Sequence, residues 1–286
     1  MFWKTLFFAL LGGLLSTSAS AQITQTTQAT PSAPSAQTTP AAALTFGVLN
    51  QQSPLLTAER WNPIFNYLQQ VTGISFVLRM GQNVQATDAT MGGGGFDLVF
   101  TNHNFHPKYD GLYRVIASWG DRPVFGVIAV AENSPLRQLK DLAGKTVAYP
   151  SRDAFMAYAV PKAALKKAGV QEQEVLAGNQ DSALGQLSSG LVDAAAVNSR
   201  FLSQYAARKG FRYRELLTSE PYPDLAVLVH PRVPPEQVKK IQAALIGMKN
   251  DPRAAAILEQ NQFSGFSPAT EKDFDSVRRA YRQSEK

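Results

Sequence analysis

The sequence predicts an α/β fold in two lobes, each a mostly parallel sheet flanked by helices, with two hinge strands joining them. Three observations predict it. Short apolar runs alternate with stretches of helical periodicity, the pattern of βα units around parallel strands. That alternation starts twice, once at Leu44 and again at Leu136. Two extended apolar stretches, residues 124–130 and 225–229, lie at the ends of the second series, and helical segments remain at the C-terminus to complete the first lobe.

The elements follow in order. Residues 1–21 read as an export signal: Lys4 supplies the basic start, residues 6–15 the apolar run, and Ala19-Ser20-Ala21 a small-residue cleavage site before Gln22. The run is too short to span a bilayer, and the alternative is an uncleaved anchor. Residues 22–43 hold Gln, Thr, Ser, Pro and Ala without a charge, so they read as a disordered leader. Residues 44–49 form a strand. A helix over 57–71 places Trp61, Ile64, Phe65 and Leu68 on one face and stops at Thr72-Gly73. A strand at 74–78, a weak helix at 84–91 and a strand at 96–100 complete the first series, and 113–119 and 124–131 are strand-like. The second series opens with a short helix at 136–142 ended by Gly144. A strand at 146–149, a helix at 153–168 closed by Gly169, and a helix at 180–189 with Leu184 and Leu187 inward come next. A buried strand at 192–197, a helix at 200–208 and a strand at 213–218 finish it. After the strand at 225–229, helices are expected at 235–248, 252–260 and 270–283. Lobe one is residues 44–126 with 226–286, and lobe two is 127–225.

Composition excludes several classes of function. The 286 residues are 44% hydrophobic and 17% charged, which rules out a long disordered regulator. No cysteine is present, so disulfide scaffolds, zinc knuckles, thiolate chemistry and a lipid-modified N-terminal cysteine are excluded. The mature chain is thus expected free in an oxidising compartment. A net charge of +6 without a local cluster does not point to nucleic acid. Lys166-Lys167 and Lys239-Lys240 fall on outer helix faces without interleaved aromatics. Gly-x-Ser-x-Gly, His-Glu-x-x-His and Ser-x-x-Lys motifs are all absent, and no enzyme is expected. Asp193 lies in an apolar strand and reads as bonded to backbone. The Gly92–Gly95 run lacks the lysine and hydroxyl residue of a phosphate loop and precedes a strand.

Ligands of open α/β sheets sit outside the carboxyl ends of strands, at helix N-termini. Four such ends are polar here. They supply Gln51, Gln52 and Ser53; Thr101, Asn102 and His103; Ser151, Arg152 and Asp153; and Gln180, with Asn198 after the next strand. Helix-start amides together with the Arg152 guanidinium would suit an anion. For Ser53, Ser151 and Asp153 the competing role is simple helix capping, and for Arg152 a solvated surface charge. His103 and His106 have metal-compatible spacing, but no cysteine or convergent acid supports a metal. His103 reads as a ligand contact or a turn residue. His230, before Pro231, reads as structural. No cofactor is expected.

From about residue 44 to 280 the chain resembles the phosphate/phosphite/phosphonate-binding proteins of ABC importers. The resemblance is carried by Phe46-Gly47-Val48 with Gln51-Gln52-Ser53, by Phe96-Asp97-Leu98-Val99, and by Ser134-Pro135-Leu136. It continues in Leu139-x-Asp141-Leu142-x-Gly144-Lys145-Thr146-Val147-Ala148, in Val160-Pro161, in Gly190-x-Val192-Asp193-Ala194-Ala195-Ala196-Val197, and in Gly265-Phe266. The Leu-x-Asp-Leu-x-Gly-Lys block specifies fold, and the full series is more specific. The resemblance implies a type II periplasmic binding fold and a periplasmic monomer that captures a small oxyanion, phosphonate- or phosphate-like, and delivers it to an inner-membrane ABC permease. The alternative is a sensory component that signals to a membrane kinase or cyclase. The family holds its anion with a Ser-Thr-Ser-Gly run and a histidine before an aspartate. Here Ala154-Phe155-Met156-Ala157 and Gln180-Asp181 stand at those positions. Phe155 and Met156 then make the pocket more apolar and favour a ligand with a carbon body.

Overall fold

The structure is a computed structural model that describes residues 42–120 and 122–284. The expected export segment, and the leader up to residue 41, lie outside the described residues. The first βα series runs β1 (Leu44–Val48), α1 (Pro54–Thr72), β2 (Phe76–Arg79), α2 (Val84–Gly92) and β3 (Leu98–Thr101). Two 3-10 turns, His103–Phe105 and Pro107–Tyr109, lead into β4 (Arg114–Trp119). The second series is β5 (Gly126–Ala131), β6 (Thr146–Tyr149), a π-helical turn (Phe155–Ala159) continuing into α3 (Val160–Lys167), β7 (Gln173–Leu176) and α4 (Gln180–Ser188). It ends with β8 (Ala194–Asn198), α5 (Ser199–Lys209) and β9 (Tyr213–Thr218). The chain then returns through β10 (Ala226–Val229), α6 (Pro235–Gly247), α7 (Ala255–Gln260), β11 (Phe266–Ser267) and α8 (Asp275–Ser284).

Two mixed sheets result, in the orders β11-β4-β10-β3-β1-β2 and β7-β6-β8-β5-β9. In each, one strand next to the edge is parallel to both neighbours: β1 between β2 and β3, β6 between β7 and β8. Antiparallel strands extend each sheet on one side only. One polar clamp sets the parallel pairing in both. Asp97 Oδ2 accepts from the Thr45 backbone N–H at 2.8 Å and from its hydroxyl at 2.7 Å. Asp193 Oδ2 accepts from Thr146 in the same way, at 2.8 Å twice. The aspartate expected to bond backbone in the second series therefore has a twin in the first.

Helix α1 starts at the Ser53 cap with Pro54 in its first turn, and it ends where Gly73 takes φ 71°, a left-handed conformation that glycine adopts without strain. Its buried face carries Trp61, Ile64, Phe65 and Leu68 onto Phe46 and Phe100. Trp61 lies 4.7 Å from the Phe100 ring, and Trp119 stacks on Phe263 at 3.6 Å. A separate cluster joins Phe155 and Met156 of the π turn to Phe105, Tyr222, Phe274 and Tyr281.

Several boundaries differ from expectation for identifiable reasons. Strand β7 was not expected, because Gln173-Glu174-Val175-Leu176 is a half-exposed edge strand whose pairing comes from β6. The helix expected at 136–142 is a single 3-10 turn, since the Asp141 carboxylate accepts from the Arg137 and Gln138 N–H groups at 2.7 and 3.1 Å and fixes a tight turn. Each expected hinge strand lies in one sheet only, β5 in the second and β10 in the first. The crossings are the segments just before them, where Val124 and Tyr222 form a two-bond antiparallel bridge, N–H to O distances 2.8 and 2.9 Å.

Candidate functional site

The carboxyl ends of β1 and β3 from one sheet, and of β6 and β8 from the other, open onto one cavity of about 30 Å³. That is room for about two waters, or for a single compact polyatomic anion. Of the residues expected at the site, Gln51, Asn102, His103, Ser151, Phe155, Gln180 and Asn198 line it together. Helices α2 and α4 begin at its edges, each capped by an asparagine. Asn83 accepts from the Ala86 N–H and Asn179 from the Ser182 N–H, both at 2.9 Å, and the first residues, Val84 and Gln180, face the cavity.

Each lining residue has a distinct local state. Ser151 is 4% exposed, and its hydroxyl has no hydrogen-bond partner among the described residues. Beside it, Ala154, Phe155, Met156 and Ala157 form the start of the π turn, where the Ala159 N–H reaches back to the Ala154 carbonyl at 3.0 Å. A helix start leaves its first N–H groups without intrahelical acceptors, so this end presents donors to the cavity. Gln180 is engaged differently. Its side-chain oxygen accepts from the Asn198 N–H at 2.7 Å, and its own N–H donates to the Gln51 carbonyl at 3.0 Å, linking the two series. The Asn198 side chain caps α5 by accepting from the Arg200 N–H at 2.9 Å. Ring packing fixes Phe155, which sits 5.1 Å from Tyr222 and 4.9 Å from Tyr281.

The remaining expected residues lie elsewhere. Gln52 is buried but does not line the cavity, and Ser53 caps α1. Thr101 turns its hydroxyl to the His103 N–H at 2.9 Å. The Arg152 guanidinium does not enter the cavity. Its side chain is 69% exposed, and Nε donates to Glu174 at 2.8 Å, drawn out by a carboxylate that Tyr158 and Lys162 also contact. Asp153 accepts from the Gln85 amide at 3.1 Å and lines a second, outer cavity.

Sequence reasoning places Asn50 in the polar end of β1 without assigning it a ligand contact, and it misses Asp88. Asn50 lines the cavity while its amide bonds the Gly81 carbonyl at 2.9 Å and its oxygen accepts from Thr87 at 2.5 Å. Asp88 holds His103 Nδ1 at 2.7 Å, with both side chains buried. The available signal was an acid on the apolar face of α2, in register with Val84 and Met91. Apart from His103, no titratable side chain lines the cavity among the described residues. Charge collects instead near the crossings. Burial, with the nearby Arg200 cation, pushes Arg60 down to about 10, so it remains a cation at neutral pH. Its Nη2 donates to Gln204 on α5 at 3.0 Å. Arg200 pairs with Asp224 at 2.9 Å, a carboxyl raised above its ordinary value by burial.

Over residues 46–274 the sequence matches the family described as ABC transporter, phosphonate, periplasmic substrate-binding protein. The chain belongs to that family. Members of this phosphonate-binding family bind a substrate for a transporter and are not enzymes. The fold is shared with PhnD1 from Prochlorococcus marinus, solved in complex with methylphosphonate, at 16% identity and TM-score 0.73 over 84% of this chain and 97% of that one. It is shared too with a binding protein component of an ABC phosphonate transporter from Pseudomonas aeruginosa, at 14% identity and TM-score 0.76 over 85% and 87%. The alkanesulfonate-binding protein from Xanthomonas axonopodis bound to MOPS aligns at 16% identity and TM-score 0.59 over 84% and 93%. In this phosphonate-binding family member, as in those neighbours, two sheets flanked by helices make a two-lobed α/β molecule. Among the described residues no helix is long and apolar enough to cross a membrane.

Proposed function

We propose that this chain captures a small oxyanion between its lobes in the periplasm and hands it to an inner-membrane ABC permease. One observation carries the reading. The buried, unpartnered Ser151 hydroxyl sits beside the open N-terminal amides of the π turn, in a cavity that both sheets line. An oxyanion would accept from those donors and from the Gln51 and Asn102 amides, contacting both lobes only when they are closed. Lobe one is residues 44–126 with 226–286 and lobe two 127–225, and the mature monomer begins after a cleaved signal. The 30 Å³ volume favours one tetrahedral group with at most a methyl-sized substituent, because Phe155 and Met156 occupy the wall where the family carries hydroxyls.

A thermal-shift panel of phosphite, phosphate, methylphosphonate, sulfate, methanesulfonate and neutral solutes tests this. At least one oxyanion is expected to raise the melting temperature. Stabilisation by neutral solutes alone would overturn the oxyanion reading.

A further inference from the structure

The ligand cavity and the outer cavity, which is about 110 Å³, share one lining residue, His103. Asp88 opens only on the outer one and holds Nδ1 at 2.7 Å. A carboxylate accepts, so Nδ1 carries a proton and Nε2 is the ring's remaining polar atom. In the neutral ring Nε2 is an acceptor, and in the imidazolium it is a donor. Every other polar side chain lining the ligand cavity is an uncharged amide or hydroxyl. An oxyanion oxygen therefore meets Nε2 favourably only when a proton lies between them.

The other titratable neighbours of the pair face the outer cavity. They are His106, Lys108 and Tyr109 from the turns after β3, Arg152 and Asp153 from the segment before the π turn, and Tyr281 on α8. Arg152 is paired with Glu174, Lys108 lies 4.8 Å over the Tyr109 ring, and Asp153 accepts from Gln85. None of them lines the ligand cavity.

We propose that ligand is captured together with one proton, shared between His103 Nε2 and a ligand oxygen, with Asp88 as the positioning residue. The inference rests on the oxyanion reading and narrows it: the pocket takes a compact oxyanion as a protonated unit and discriminates against the bare dianion.

Calorimetric titration of the purified protein with methylphosphonate, from about pH 6 to about pH 9 and in two buffers of different ionisation enthalpy, tests it. Wild type should take up about one proton at the alkaline end, where affinity falls about tenfold per pH unit. Methanesulfonate has the same shape without a titratable oxygen, and it should show the same slope because the proton then sits on Nε2. His103→Gln supplies an amide donor that needs no proton, so its slope should flatten. In Asp88→Asn the amide donates to Nδ1, moving the ring hydrogen to Nε2, and the slope should flatten there too. A flat wild-type profile for either probe, or wild-type slopes in both variants, overturns the inference. If a variant fails to fold, the wild-type proton count decides. Wild type that binds neither probe but binds a neutral solute overturns the oxyanion reading itself, and the inference with it.

Discussion

Ser151 and Arg152 are adjacent in sequence, yet the fold separates them completely. Ser151 turns an unpaired hydroxyl into the cavity, whereas Arg152 points outward to Glu174. Ser151→Ala should therefore weaken oxyanion binding about tenfold to a hundredfold, the range for a hydrogen bond to a charged group, with little change in melting temperature. Arg152→Ala should leave affinity within about twofold, because an exposed ion pair contributes little and does not touch the cavity. Equilibrium titration of both variants checks the pair. The polar strand ends were legible because carboxyl-terminal turns of α/β sheets carry ligand contacts whatever their chemistry, and Gln51, Asn102, His103, Ser151, Gln180 and Asn198 do converge. The fate of Arg152 was not legible, since its partner sits on β7, an edge strand with too little apolar pattern to be seen. Asp88 was obscured for a related reason: its one local mark, an acid on the apolar face of α2, does not name a partner 15 residues on.

The π turn and the aspartate clamps decide how the elements meet. Gly126, at the start of β5, approaches the Met156 carbonyl so closely that an added Cβ would stand 2.5 Å from it. Gly126→Ala should cost about 1–3 kcal/mol and displace the cavity wall, read as a lower melting temperature together with weaker binding. Asp97 offers a pH test. Burial alone raises its carboxyl, but the hydrogen bonds from Arg232 and Thr45 outweigh burial and hold it below the usual carboxylate range. A depressed carboxyl stabilises the fold above its unfolded value, and that contribution is lost as pH falls through the folded value. Asp97→Asn should thus cost about 1–3 kcal/mol at neutral pH. In denaturant titrations its gap to wild type should close as the solution is acidified below the ordinary aspartate range. The apolar runs explain why every strand of the two series except β7 was readable, whereas the Thr–Asp clamps that pair β1 with β3 and β6 with β8 join residues about fifty apart. The π turn replaces an ordinary helix start, and residue types alone do not distinguish the two.

Across the whole molecule, the first-series helix α1 reaches α5 of the second through Arg60, whose guanidinium donates to Gln204 and lies 5.8 Å from the Trp119 ring and 5.6 Å from the Phe201 ring. Arg60→Met keeps the apolar stem and removes that bond. It should lower ligand affinity about twofold to tenfold without touching the cavity, because a contact made between lobes favours the closed form. The radius of gyration from small-angle scattering at saturating ligand should match wild type. The measurement closest to the central claim is a titration of wild type and Ser151→Ala side by side, at one pH, with phosphite, methylphosphonate and a neutral solute of equal size. Selective binding of an oxyanion by wild type, weakened about tenfold or more in the variant, is the expected result. Equal affinity of the two proteins for every oxyanion, or preference for the neutral solute, would contradict it.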